Sequence, residues 1–311
     1  MAEENYQALQ FAPFSSCVNP GFWSAFSKVK LEVLGLDETP VNAVGSFANS
    51  TPTGVAPILN LDWDALKENN PSSSTRWDTY LCQGQIFNLN TIEAFKSCDK
   101  VEFLRKRCTD DVWAKICDGS ALDKPSLLNT FAVLMFSDLK KYHYYYWFAF
   151  PSFALPASVK VHKKVDKITS IYTQSQCDKI CQAYGQRKKD NLSETVVFGV
   201  VLEEGGDHVT LVSLAEALKE NTRQAQVAIV DPSSLETHPG WPLRNLLALL
   251  CKAQPDKLKQ GLDVICFRQH VMGESRKLSI DNSLVFKVKD WSSATELMTG
   301  IIVVVCSASF R

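Results

Sequence analysis

Cysteine and histidine carry most of the reactive chemistry available to this sequence, ten and five of them in 311 residues. Cys177 and Cys181 stand four apart, which puts two thiols on one face of a helix, where His162 or His208 could complete a metal set. No second paired motif accompanies them, so they read as two partly buried thiols. A nucleophilic cysteine needs a base beside it and an electropositive setting. His143 could be that base, but no spacing singles out its partner. The cysteines follow no repeat and several fall on apolar faces, as small core hydrophobes of a reducing compartment do. The rival reading is a thiol-dependent enzyme using one of them, which requires a cysteine of depressed pKa.

A nucleotide site would need a glycine-rich turn between strand and helix, letting backbone N–H groups approach phosphates. The nearest approach to one, Gly205-Gly206, lies between two strand patterns and reads as a hairpin turn. The sharpest local feature is His238-Pro239-Gly240-Trp241-Pro242-Leu243-Arg244-Asn245. Pro-Gly makes a turn, Pro242 suits a first helical turn, and Trp241 either packs back on that helix or stands open to a partner. Trp and Arg are the types that most often anchor interfaces, so Trp241 and Arg244 are candidate anchors. Basic runs at 105–107, 160–167 and 187–189 read as solvated faces or as the rim of a groove for an acidic peptide. Lys160, Lys163, Lys164 and Arg268 are the candidate electrostatic contributors.

With 33 basic against 34 acidic residues the net charge is -1, so no global field gathers nucleic acid or an anionic membrane. No apolar run approaches the ~18 residues that a membrane span needs, and the acidic start lacks a signal-peptide pattern. A soluble intracellular chain with no direct membrane insertion is the expectation.

The supporting elements read as α/β. Phe11 to Phe14 has a short-strand pattern; Asn19-Pro20 caps a helix that closes near Gly35 with Phe22, Phe26, Val29 and Val33 on its buried face. Two strands fall within 41–63, and 67–76 is a polar, mobile loop. Asn90 and Glu93 approximate a capping box for a helix running to Gly119. A second helix is predicted from Pro125 to about Leu139, followed by an aromatic strand over 142–150 that Pro151 ends. Beyond it come a helix carrying Ile180, Cys181 and Tyr184, a hairpin over 195–202 and 208–214, strands at 227–230, 262–267 and 283–288, and a helix from Pro242 to Lys252. The pattern predicts two packed lobes, 1–155 and 156–292, each a mixed sheet partly covered by helices. Residues 293–311 form a divergent tail whose uncharged, β-prone stretch from Met298 has nothing after it to cover it.

Several of these motifs occur together in the autophagy-related ubiquitin-like modifier-activating enzymes. They are Phe11-Ala12-Pro13-Phe14-Ser15-Ser16, Gly21-Phe22-Trp23, Asp138 to Phe148, Val230-Asp231-Pro232, Pro239 to Asn245, and Val264-Ile265-Cys266-Phe267-Arg268. In order, over about 9 to 292, the chain resembles the N-terminal domain of that family. The resemblance implies two α/β lobes that capture conjugating enzymes of the lipid and protein-conjugation pathways, with adenylation and the thioester cysteine in a separate C-terminal domain. It therefore implies no catalytic residue, metal or cofactor in this stretch, a monomer, and a place in the cytoplasm and at sites of autophagosome assembly. Likeness to the family fades near Thr295-Glu296-Leu297, as expected of a truncated or alternatively spliced product with a loose tail.

Overall fold

In a computed structural model the described residues are 6–50, 52, 54–67, 77–154, 159–190, 195–203, 208–219, 225–272, 277–289 and 301–310, the last without side chains. The polar loop at 68–76 and the turn at 204–207 lie outside them.

Strands appear in the order β1 (Tyr6–Ala8), β2 (Ser15–Val18), β3 (Val41–Ala48), β4 (Ile58–Leu61), β5 (Thr79–Leu89), β6 (Thr130–Asp138), β7 (His143–Phe153), β8 (Lys160–His162) and β9 (Asp166–Lys167). They continue with β10 (Val197–Leu202), β11 (Val209–Val212), β12 (Gln226–Val230), β13 (Leu262–Phe267), β14 (His270–Met272), β15 (Lys277–Ser279), β16 (Leu284–Lys289) and β17 (Ile301–Phe310). One mixed sheet runs β17-β7-β6-β5-β3-β4-β2; the other runs β1-β8-β16-β13-β12-β10-β11, with β9 also on β16, and β14 and β15 form a separate hairpin. The principal helices are α1 (Pro20–Val29), α2 (Ile92–Ser97), α3 (Lys100–Arg107), α4 (Ala114–Cys117), α5 (Ser120–Asp123), α6 (Gln174–Asp190), α7 (Leu214–Ala217), α8 (Pro242–Ala253) and α9 (Pro255–Gln260). The fold class is α/β.

Neither sheet is one contiguous stretch of chain. β1 crosses to the second sheet and pairs with β8, and β17 returns to the first, pairing antiparallel with β7 from Ile301↔Phe153 to Phe310↔Tyr144. The tail was expected to be loose; residues 301–310 are instead a strand, because β7 would otherwise leave its edge N–H and C=O groups unpaired.

The segment predicted as a helix from Pro125 to Leu139 is a single 3-10 turn at Pro125–Leu128 followed by β6. Phe131 to Met135 are all buried between β5 and β7, and an apolar run of that kind looks the same to a helix as to a central strand. The helix expected from Asn90 to Gly119 is broken at Cys98, where Asp99 caps α3 anew, and its first cap is Thr91, which accepts from Ala94 N–H, not Asn90. Phe11 to Phe14 is irregular and the strand follows it at Ser15; β7 continues through Pro151; and Val33 is exposed at 75%. α1 otherwise follows its sequence: Asn19 caps it, Pro20 opens it, and Phe22, Trp23 and Phe26 are buried.

One contiguous apolar cluster reaches across both sheets, from Phe22, Phe26, Phe47 and Phe148 on one side to Phe198, Leu247, Ile265 and Phe286 on the other. At about 25 cal/mol per Å² of apolar surface, burial on this scale is the main force holding the sheets together.

Candidate functional site

The His238–Asn245 motif closes the seam between the two sheets. β12 ends at Val230, and Asp231 turns its carboxylate back under the loop that follows. Its Oδ1 accepts from Ser233 N–H (3.0 Å) and Gly240 N–H (2.8 Å), while Oδ2 accepts from Arg268 Nε (3.0 Å) and Nη2 (2.7 Å). Arg268 also donates to the carbonyls of Leu235 (2.7 Å) and His238 (3.2 Å). A Cβ on residue 240 would lie 2.6 Å from Asp231 Oδ1, so glycine is required by close approach.

Trp241 is 3% exposed and packs on Phe14 (3.8 Å between centroids), Phe150 (5.3 Å) and Phe47 (5.4 Å). It is an inter-sheet core residue, and the sequence expectation of an open anchor is corrected accordingly. Arg268, 5% exposed and ion-paired, is likewise structural; it was expected to steer a partner. Asn245 faces the same seam, donating to Leu128 O (2.7 Å) and Pro151 O (3.0 Å) and accepting from Phe153 N–H (3.3 Å). Arg244 alone of this group turns outward. It is half-buried with its Cζ 3.9 Å from the centre of the Phe11 ring.

Lys160, Lys163 and Lys164 lie together at the β1 edge of the second sheet. Lys160 is half-buried on β8 opposite Ala8 and Lys289, and Lys289 sits over the Tyr6 ring at 4.0 Å. Lys163 and Lys164 are exposed, the latter 3.7 Å from Asp166. The structure thus gathers the three lysines but does not join them to Trp241 or Arg268, which are internal.

A second seam element was not foreseen. Lys188 on α6 donates to Trp77 O (2.6 Å) and Thr79 O (2.8 Å) and lies 3.8 Å from the centre of the Tyr80 ring. Burial lowers its pKa to about 8, opposed by nearby Asp78. Tyr184 O–H donates to Thr195 O (2.9 Å), Tyr80 O–H donates to Gln269 Oε1 (3.2 Å), and the two hydroxyl oxygens lie 3.2 Å apart. The Arg-Lys-Lys run at 187–189 reads as a solvated face, yet the progression 177, 181, 184, 188 keeps helical spacing and would have placed Lys188 on the buried stripe.

Cys177 and Cys181 are buried on that stripe, and burial raises both thiol pKa values, Cys177 to about 11. Among the described residues no three His, Cys, Asp or Glu side chains converge as metal ligands. No helix among them is long and apolar enough to cross a membrane.

A family model described as the N-terminus of the ubiquitin-like modifier-activating enzyme ATG7 matches residues 9–302. The match passes the Thr295–Leu297 point where likeness was expected to fade. Ubiquitin-like modifier-activating enzyme ATG7 of Gallus gallus is 35% identical over 288 residues, covering 90% of this chain and 39% of the relative. That of Homo sapiens is 33% identical over 288 residues with the same two shares. The chain therefore spans about two fifths of the length of the curated relatives it matches. Among solved structures, Kluyveromyces marxianus Atg7NTD superimposes with a TM-score of 0.66 at 20% identity, covering 97% of this chain and 98% of its own. Its complex with Atg10 gives 0.65 at 19%, covering 98% of each.

Proposed function

Because the chain belongs to the family of ATG7 N-termini, we propose that it is a docking domain that recruits conjugating enzymes and performs no chemistry of its own. Its partners are the conjugating enzymes of the lipid and protein-conjugation branches of autophagy, met in the cytoplasm and at autophagosome assembly sites, and it acts as a monomer. What supports this reading is the end-to-end likeness to a fold solved together with Atg10. Within the chain, the family motifs are spent on the interior: Phe14, Trp23, Trp241 and Arg268 are all buried. That leaves the docking surface to exposed positions around them, chiefly Lys163 and Lys164 with half-buried Lys160 and Arg244. Rim charges of this kind accelerate encounter and fix register, while apolar anchors supply affinity.

The test is calorimetric titration of the chain with each conjugating enzyme at two salt concentrations. Micromolar binding, weakened at high salt and by the triple change Lys160→Glu, Lys163→Glu, Lys164→Glu, is the expected result. Failure to bind either enzyme overturns the docking function. Binding indifferent to the triple variant removes the lysine edge from the interface.

A further inference from the structure

Arg244 is a half-buried cation with no ion pair among the described residues, unlike Arg268 and Arg107. Arg268 has Asp231, Arg107 has Asp110 and Asp111, and Lys188 has two carbonyls and a ring. Arg244 has the face of Phe11, and its Nε is buried with no hydrogen-bond partner. Its place in the first turn of α8 puts it at the positive end of the helix, where a cation is disfavoured and an anion favoured. Burial, with no neighbouring charge contributing, lowers its pKa to about 10, so the guanidinium stays protonated at neutral pH.

The surroundings hold the group still. Ala12 N–H donates to Pro239 O at 2.8 Å, and His238 Nε2 and Gln10 Oε1 are 3.2 Å apart, so the segment bearing Phe11 is strapped to the loop that precedes α8. Phe14, three residues on, is locked against Trp241. A planar guanidinium fixed on a ring is pre-organised to offer a carboxylate two parallel N–H donors, the geometry in which Arg and Lys are least interchangeable.

We propose that Arg244, backed by Phe11, is the receptor for one carboxylate, an Asp or Glu side chain of the docked conjugating enzyme. One positive charge with no second cation acting on it matches a monoanion better than a phosphate dianion. The inference rests on the docking function proposed above and names the chemistry that the partner brings to it.

Two measurements separate the two ideas. In the first, the chain is titrated with Atg10. Arg244→Gln is expected to weaken binding about tenfold or more with an unchanged thermal midpoint, Arg244→Lys to recover only part of that, and Phe11→Leu to cost about threefold. Binding by Arg244→Gln within twofold of the parent overturns the receptor role. In the second, the Arg244 Nε–Hε resonance is followed in the ¹⁵N-labelled chain while sodium acetate, sodium phosphate or sodium chloride is added at matched ionic strength. A saturable shift with acetate beyond that with chloride supports the site. A larger shift with phosphate than with acetate overturns the carboxylate assignment, and no shift beyond chloride overturns the anion site altogether. Should the parent chain bind no conjugating enzyme, the docking function fails while the acetate titration still decides the site.

Discussion

Arg268 Nη2 lies 2.7 Å from Asp231 Oδ2 with only 6% and 2% of the two side chains exposed, at the adjacent C-terminal ends of the parallel strands β13 and β12. In open α/β sheets the C-terminal strand ends are where ligands commonly bind. Here the space is filled by the chain's own ion pair, which fixes the 231–240 loop through two backbone N–H groups and two carbonyls. Breaking such a pair strands a buried charge. Asp231→Ala and Arg268→Ala are each expected to cost about 3–5 kcal/mol in urea unfolding. The double change Asp231→Leu with Arg268→Met should cost less than the sum, since neither charge is then left alone. Equal additive costs would show that the pair does not act as a unit.

Asn245 is the second bolt of the seam. Asn245→Leu keeps the branched shape but orphans Leu128 O, Pro151 O and Phe153 N–H, each at a cost of about 1–3 kcal/mol when water cannot reach it. The expected outcome is a lowered urea midpoint together with faster hydrogen exchange at Phe153 and in β7. A midpoint change without altered exchange at Phe153 would mean that the carboxamide stabilises α8 and not the seam.

The elements with strong local signals were legible in the sequence. Asn19-Pro20 and Pro242 open α1 and α8, and the short valine-rich apolar runs at 197–202 and 284–289 are strands, because capping and β-branched runs are decided within a few residues. β6 was not legible, because its burial on both faces erases the alternation that distinguishes a strand. The site failed for a related reason. Trp241 and Arg268 are the residue types of an interface, but an internal seam between two sheets selects the same types, and only the sheet arrangement shows which of the two they serve. Arg244, beside them in sequence, turns outward because α8 rotates it away from Asn245 by one residue, about 100°.

The cysteines offer a direct check on the thiol-enzyme alternative. Burial raises the pKa of Cys108 to about 12 and Cys177 to about 11, and pushes Cys82, Cys181 and Cys266 upward as well. A thiol held above the range of ordinary thiols carries almost no thiolate at neutral pH. Iodoacetamide at pH 7.5, followed by peptide mass spectrometry, should label exposed Cys17 and Cys117 slowly and leave these five unmodified until the chain is unfolded. One cysteine reacting far ahead of the rest would restore the enzyme reading.

Lys188 makes the seam sensitive to mild alkali. Its folded pKa, near 8, lies below the ordinary lysine value of 10.5, so between those values the unfolded chain holds a proton that the folded chain has released. Raising the pH through that interval therefore favours folding, and the full cost of burying the ammonium is present below pH 8. Tyr80 and Tyr184, whose pKa values burial raises, act in the opposite direction only above about pH 10. Stability measured by urea should accordingly rise between pH 8 and 9.5, by about 2 kcal/mol at most. The two carbonyls and the Tyr80 ring favour the ammonium form, which makes the rise smaller and starts it at higher pH. In Lys188→Met the rise should vanish and the Trp77 and Thr79 carbonyls should lose their donor, lowering stability most at the higher pH. A profile that stays flat in the parent chain, or rises equally in the variant, would show that Lys188 is not the group responsible.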